Sequence, residues 1–67
     1  MNDVIQHFQA SVAARRRELE PYQLGWRQCE PGHSGAWVDV TEAHVAMIER
    51  EIAELERVIA IREARVL

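Results

Sequence analysis

The sequence predicts an all-α fold, an antiparallel two-helix hairpin with a long aromatic loop, and two observations lead to this prediction. Two segments, at about residues 3–20 and 41–66, carry apolar residues at alternating spacings of three and four, which is the repeat of one helix face. The connection between them, residues 21–40, holds all three glycines, both prolines and both tryptophans. We therefore expect one small helical domain over residues 1–67.

The first helix is predicted to begin near Asn2 or Asp3, whose side chains can accept hydrogen bonds from the first free N–H groups of a helix. Pro21 should end it, because the residue before a proline is disfavoured in helical geometry. Its predicted seam is Ile5, Phe8, Val12, Arg15 and Leu19.

The second helix has no glycine or proline from Thr41 onward. Thr41 is the predicted N-cap, and Val40 can pack on Val45 as a hydrophobic staple. The predicted seam continues to the end of the chain through Val45, Ile48, Ile52, Leu55, Ile59, Arg62 and Val66.

The connection combines turn-forming residues with large aromatic side chains. The segments LGWRQC and AWVDV can pair as a short β-ribbon around EPGHSG. Two arrangements stay open for the aromatic residues. Tyr22, Trp26 and Trp37, with Leu24 and Val38, can fold down over the open end of the hairpin as a small core, or the tryptophans can be exposed as anchors for a partner.

The chain is also expected to form a homodimer. A domain of 67 residues buries little apolar surface, and a single cysteine cannot form an internal disulfide. Setting Glu20 beside Thr41 leaves the segment 58–67, which is rich in apolar residues, beyond the end of the first helix. We expect a second copy to cover it in a four-helix bundle of coiled-coil type, through Ile52, Leu55, Val58, Ile59, Arg62 and Val66.

Charge and hydropathy narrow the classes of partner. The net charge of −3 disfavours general attraction to nucleic acid, although the cluster Arg15–Arg17 keeps a small nucleic-acid-associated regulator as the alternative function. No apolar segment reaches the length that a membrane span needs. The N-terminus lacks the pattern of a secretory signal. With the single cysteine, this predicts a cytoplasmic protein.

Cys29, His33 and His44 are weak candidates for a metal site. The C-x3-H spacing of the first two can bind one zinc ion, but a tetrahedral site needs further ligands, and a zinc-stabilised hairpin is a weaker alternative. A catalytic thiol needs an oriented base and a substrate pocket, for which the chain offers little room. We therefore predict no enzyme and no cofactor.

The function that the sequence favours is protein binding. The residues predicted to contact a partner are Tyr22, Trp26, Arg27 and Trp37, with Arg15 and Arg16, since tryptophan, tyrosine and arginine dominate binding energy at interfaces. In size and helical style the chain resembles the small single-domain proteins of bacteriophages and mobile elements, many of which bind and inhibit a host protein. This likeness, which involves no motif, implies an inhibitor or adaptor that occludes a site on a larger host protein.

Overall fold

The computed structural model describes residues 3–65 as two antiparallel helices joined by a two-stranded ribbon. Helix α1 spans Asp3–Gln23, strand β1 Cys29–Pro31, strand β2 Trp37–Asp39 and helix α2 Thr41–Ala64. The predicted helical hairpin and the ribbon within its connection are both confirmed. Over the described residues, neither helix has an apolar stretch long enough to cross a membrane. The predicted cap at Asn2 and the dimer position Val66 lie outside the described residues.

Helix α1 does not end before Pro21, as the sequence predicted, but continues through it to Gln23. Its end is a Schellman turn: the Trp26 N–H donates to the Pro21 carbonyl at 3.0 Å and the Gly25 N–H to the Tyr22 carbonyl at 3.1 Å. Gly25 has a φ of +101°, a conformation that only glycine adopts without strain. The helix therefore stops at the glycine and not at the proline, because the left-handed backbone of Gly25 turns the chain out of the helix.

Helix α2 begins at Thr41, but Thr41 is not its N-cap. Val40 occupies that position and makes no side-chain hydrogen bond to the helix. The carboxylate of Asp39 instead accepts the Thr41 backbone N–H at 2.9 Å. A carboxylate one residue before the cap thus satisfies a free helical donor, which is the role that the sequence assigned to a threonine hydroxyl.

The core lies between the two helices and is small. Only three apolar side chains are buried among the described residues, and four more pack against them at partial exposure; they are Val12, Ile48 and Ile52, then Leu19, Tyr22, Leu55 and Ile59. No large side chain in this part of the chain is fully buried. The three buried side chains all belong to the predicted seams. Together they bury little apolar surface for a domain that folds alone.

The two helices pair in a different register from the predicted one. The predicted alignment sets Phe8 opposite Ala53, whereas the guanidinium of Arg62 lies 5.9 Å from the centroid of the Phe8 ring. At the other end the Tyr22 ring packs on His44. Because α1 runs further than Glu20, its first turns lie beside the end of α2. The predicted free overhang beginning at Val58 was therefore wrong for the residues described.

The two-stranded ribbon lies in the connection between α1 and α2. Its antiparallel register sets Cys29 opposite Asp39, Glu30 opposite Val38 and Pro31 opposite Trp37. Gly35, with a φ of +83°, provides the left-handed residue of the tight connection. Strand β1 starts at Cys29, the last residue of the predicted LGWRQC segment, because the first residues of that segment form the Schellman turn.

Candidate interaction surface at the loop end

A polar network joins the ribbon to α2, and we call it the ribbon–helix junction; it comprises Arg27, Gln28, Asp39, Thr41 and Glu42. The Thr41 hydroxyl donates to Asp39 Oδ1 at 2.6 Å and accepts the Gln28 backbone N–H at 2.8 Å. Arg27 donates through Nε to Asp39 Oδ2 at 2.9 Å and through Nη2 to both carboxylate oxygens of Glu42 at 2.9 and 3.0 Å. The junction therefore fixes the ribbon on the first turn of α2.

The junction shifts the pKa values of Asp39 and Arg27. The Thr41 hydroxyl, the Thr41 backbone N–H and the Arg27 guanidinium, in that order of influence, lower the pKa of Asp39 from 3.8 to about 2. Hydrogen bonds to Asp39 and then to Glu42 raise the pKa of Arg27. Arg27, predicted as a partner contact, is thus already committed to two carboxylates of its own chain.

Tyr22 connects α1 to the junction. Its hydroxyl donates to Gln28 Oε1 at 3.2 Å, and its ring meets the His44 ring edge to face, with centroids 5.4 Å apart. The side chain is half-buried and packs against the core. Tyr22 therefore supports the loop end from within the hairpin.

The other large apolar side chains of the connection point into solvent. Leu24 is 82% exposed, Trp26 67% and Trp37 72%. All three side chains are therefore largely open to solvent. The alternative in which they pack as a small core is wrong for these three residues. We call Leu24, Trp26 and Trp37 the loop-end anchors.

A groove of about 370 Å³ runs beside Trp26. It is lined by Arg17, Glu20, Pro21, Leu24 and Trp26. The Schellman turn explains this grouping, because the residue after its glycine commonly packs on the helical residue five positions earlier. Here that pair is Trp26 and Pro21. The indole is thus held at the rim of a shallow apolar depression with one positive and one negative group.

The three adjacent arginines have different environments. Arg15 pairs with Glu18 at 2.8 Å and approaches Glu51 to 3.8 Å. Arg16 pairs with Glu56 across the hairpin. Within residues 3–65, Arg17 makes no ion pair. Two members of the predicted basic cluster are therefore neutralised by their own chain, and the third borders the groove beside Trp26.

The weak metal candidates do not converge. Cys29 is exposed on β1, His33 lies in the turn between the strands, and His44 packs on Tyr22. No group of three or more His, Cys, Asp or Glu side chains within residues 3–65 is arranged to hold a metal ion. These positions give the zinc-stabilised hairpin no support.

Most of the predicted dimer positions face α1 of the same chain. Ile52 is buried in the hairpin core, and Leu55 and Ile59 pack against it. Arg62 covers the ring of Phe8. Val58, at 36% exposure, lies outside this core.

The sequence analysis named Arg17 only within the Arg15–Arg17 cluster of the nucleic-acid alternative, and it treated Leu24 only as part of a possible loop core. Gly25 is the signal that identifies both. As the left-handed residue at the end of α1, Gly25 places Leu24 directly after the last turn and directs Trp26 back toward Pro21. Both side chains therefore lie beside the helix face that carries Arg17.

Comparisons of the chain with known protein families, with curated proteins and with solved structures gave no match.

Proposed function

We propose that this chain is a non-enzymatic protein-interaction module whose loop end covers a site on a larger protein. The observation that carries the proposal is the exposure of two tryptophans, Trp26 at 67% and Trp37 at 72%. Exposed tryptophan side chains on a helical hairpin are typical of binding anchors, because each buries a large area when it is desolvated by a partner.

The hydrogen bonds that position Trp26 and Trp37 favour a surface that is ordered before a partner binds. Trp26 follows a glycine-centred helix end with two defined backbone hydrogen bonds, and Trp37 lies in a strand whose register is fixed. The junction holds that strand against α2 through Asp39 and Thr41. A surface that is already ordered loses less conformational entropy on binding. The proposed mode of action is therefore occlusion by a rigid end of the molecule.

The charges around the anchors favour a protein partner over nucleic acid. Arg15, Arg16 and Arg27 are each paired with carboxylates, and the net charge is −3. A phosphate backbone would have to displace these carboxylates. Arg17, beside Trp26 in the groove, is the basic group best placed to meet an acidic side chain of a protein.

The test is a comparison of matched variants in affinity capture from a lysate of the source organism. Trp26→Ala and Trp37→Ala remove one anchor each, and Met47→Ala removes an exposed apolar side chain from α2 as the control. Quantitative mass spectrometry should find a protein that the wild type and Met47→Ala retain and that both tryptophan variants lose. With that protein purified, each tryptophan variant should weaken binding at least about tenfold.

Salt and nuclease treatment separate the proposal from the nucleic-acid alternative. Binding through buried tryptophans should change little with ionic strength, whereas phosphate contacts weaken steeply as salt rises. Retention that nuclease abolishes, or that both tryptophan variants share with the wild type, would overturn the proposal. Because both indoles are exposed, the variants should keep the helical circular dichroism of the wild type, which checks that folding is unaffected.

A further inference from the structure

The exposed apolar side chains outside the ribbon and its flanking turn lie along one flank of the hairpin. They are Val4, Met47, Val58 and Ile61. This flank is the side of the hairpin on which Arg15 of α1 approaches Glu51 of α2. On α1, Val4 lies three helical turns before Arg15 and therefore on the same side of that helix. On α2, the other three residues lie within about 80° of Glu51 around the helix axis, at 100° per residue. We call this surface the apolar flank.

The apolar flank carries a second seam along α2. Glu51, Glu54, Val58, Ile61 and Arg65 follow one another at spacings of three and four, the repeat of a helix–helix contact. This seam is separate from the one that faces α1. Its two apolar members lie at the end of α2 away from the ribbon, between an acidic and a basic residue.

The two charges that border the apolar pair have no ion-pair partner among residues 3–65. Glu51 approaches Arg15, but Glu54 and Arg65 make no ion pair within residues 3–65. They are placed symmetrically about Val58 and Ile61, at four residues on either side. This arrangement is self-complementary under a two-fold axis that reverses the direction of the helix.

We propose that a second copy of this chain binds the end of the apolar flank that carries Val58 and Ile61, with the two α2 helices antiparallel. Val58 of each copy meets Ile61 of the other, and Glu54 of each copy pairs with Arg65 of the other. A parallel arrangement would set Glu54 against Glu54 and Arg65 against Arg65, which repel. The small core of the hairpin favours such a contact, because association adds the apolar burial that the single chain lacks.

The proposed dimer differs from the one that the sequence predicted. Ile52, Leu55 and Ile59 stay in the core of each hairpin, and only Val58 is shared between the two sets. The contact is short, so we expect a dissociation constant in the micromolar range. It is independent of the proposed loop-end function, because the flank and the loop-end anchors have no residue in common.

Charge reversal tests both the partner and the register. Glu54→Arg and Arg65→Glu each create two repulsive pairs in the dimer, so each should weaken self-association at least tenfold in sedimentation velocity. An equimolar mixture of these two variants should form a heterodimer, because every reversed charge then meets its opposite. The double variant Glu54→Arg/Arg65→Glu should dimerise like the wild type for the same reason.

A matched control carries the same kind of charge change on the opposite face of α2. Glu63→Arg is at an exposed position and should leave the dissociation constant within about twofold of the wild type. A wild type that stays monomeric up to millimolar concentration would overturn the proposal. So would single variants that associate like the control, or a mixture that fails to associate.

Cys29 provides an independent measurement of the geometry, since it is the only cysteine and is exposed. In the antiparallel dimer, about 19 residues of α2 separate the centre of the contact from the ribbon of each copy. The two ribbons then lie at least about 55 Å apart at 1.5 Å per residue. Double electron–electron resonance between nitroxide labels on Cys29 should give a distance of that order, whereas a distance under about 30 Å would exclude the proposed orientation.

Discussion

Asp39 connects the ribbon to α2 through each of its carboxylate oxygens. One oxygen accepts the Thr41 hydroxyl and backbone N–H, and the other accepts from Arg27. The Asp39 side chain thus accepts the first backbone N–H of α2 and holds the guanidinium that reaches Glu42. The position of Trp37, two residues earlier on β2, depends on this arrangement.

The lowered pKa of Asp39 predicts how this contribution varies with pH. Its pKa falls from 3.8 to about 2 on folding, so the ionised carboxylate stabilises the fold fully above pH 3.8 and the contribution is lost as the pH falls toward 2. In thermal melts followed by circular dichroism, the wild type should have a higher Tm than Asp39→Asn near neutral pH. That difference should shrink across this acid range.

The control for this measurement is Glu30→Gln, which neutralises an exposed carboxylate on the neighbouring strand that makes no ion pair within residues 3–65. It should follow the wild type at every pH. A Tm difference between the wild type and Asp39→Asn that does not change with pH would contradict the assigned role of the carboxylate.

At the scale of elements, the core is so small that one residue of α2 decides whether the helices stay packed. Ile48 is 2% exposed, and its neighbour Met47 is 45% exposed. Ile48→Ala should cost about 2–5 kcal/mol, which is comparable to the roughly 3–5 kcal/mol that the core of so small a domain supplies.

We therefore expect Ile48→Ala to lose most of its helical circular dichroism at room temperature. Met47→Ala, which changes the adjacent but exposed position, should shift the free energy of unfolding by less than about 0.5 kcal/mol. Urea unfolding of the two variants and the wild type measures both values. Equal losses from the two substitutions would mean that the two helices do not pack along the seam described.

The elements also show which features a sequence pattern can predict. The seams of both helices were predictable, because apolar spacing reports directly which residues face a partner. The helix ends were not, because Pro21 and Thr41 have strong average preferences that local hydrogen bonds override here. The Asp39 carboxylate accepts a free N–H of α2, an effect that is not visible without the backbone path. The left-handed Gly25 lets the N–H groups after α1 reach its last carbonyls, and here the glycine itself is the signal in the sequence.

The wrong end predicted for α1 also affected the residues predicted to form an interaction surface. Ending α1 before Pro21 shifted the helix register, which produced the expected overhang at Val58 and hid the apolar flank. Recognising Gly25 as the helix stop would have corrected both. The exposure of Trp26 and Trp37 could not be predicted in either direction, because the same residues are typical of a packed loop and of a binding surface.

At the scale of the whole molecule, the loop-end anchors and the proposed dimer contact lie toward opposite ends of a rod measuring 55 × 23 × 14 Å. An antiparallel dimer would therefore present two loop ends facing away from each other. Such a dimer could bind two sites on one assembly, and the linked sites would raise the overall affinity without any new contact.

The dimer contact also makes the stability of the fold depend on protein concentration. Association that occurs only between folded chains stabilises the folded state by mass action. The Tm of the wild type should therefore rise as the concentration is raised from micromolar to millimolar, and the Tm of Glu63→Arg should rise with it. Arg65→Glu should melt at a lower temperature that does not change with concentration. Circular dichroism in cells of different path length measures all three proteins under one buffer condition. A wild-type Tm that is independent of concentration would show that the hairpin is stable without a second copy, despite a core of three buried apolar side chains.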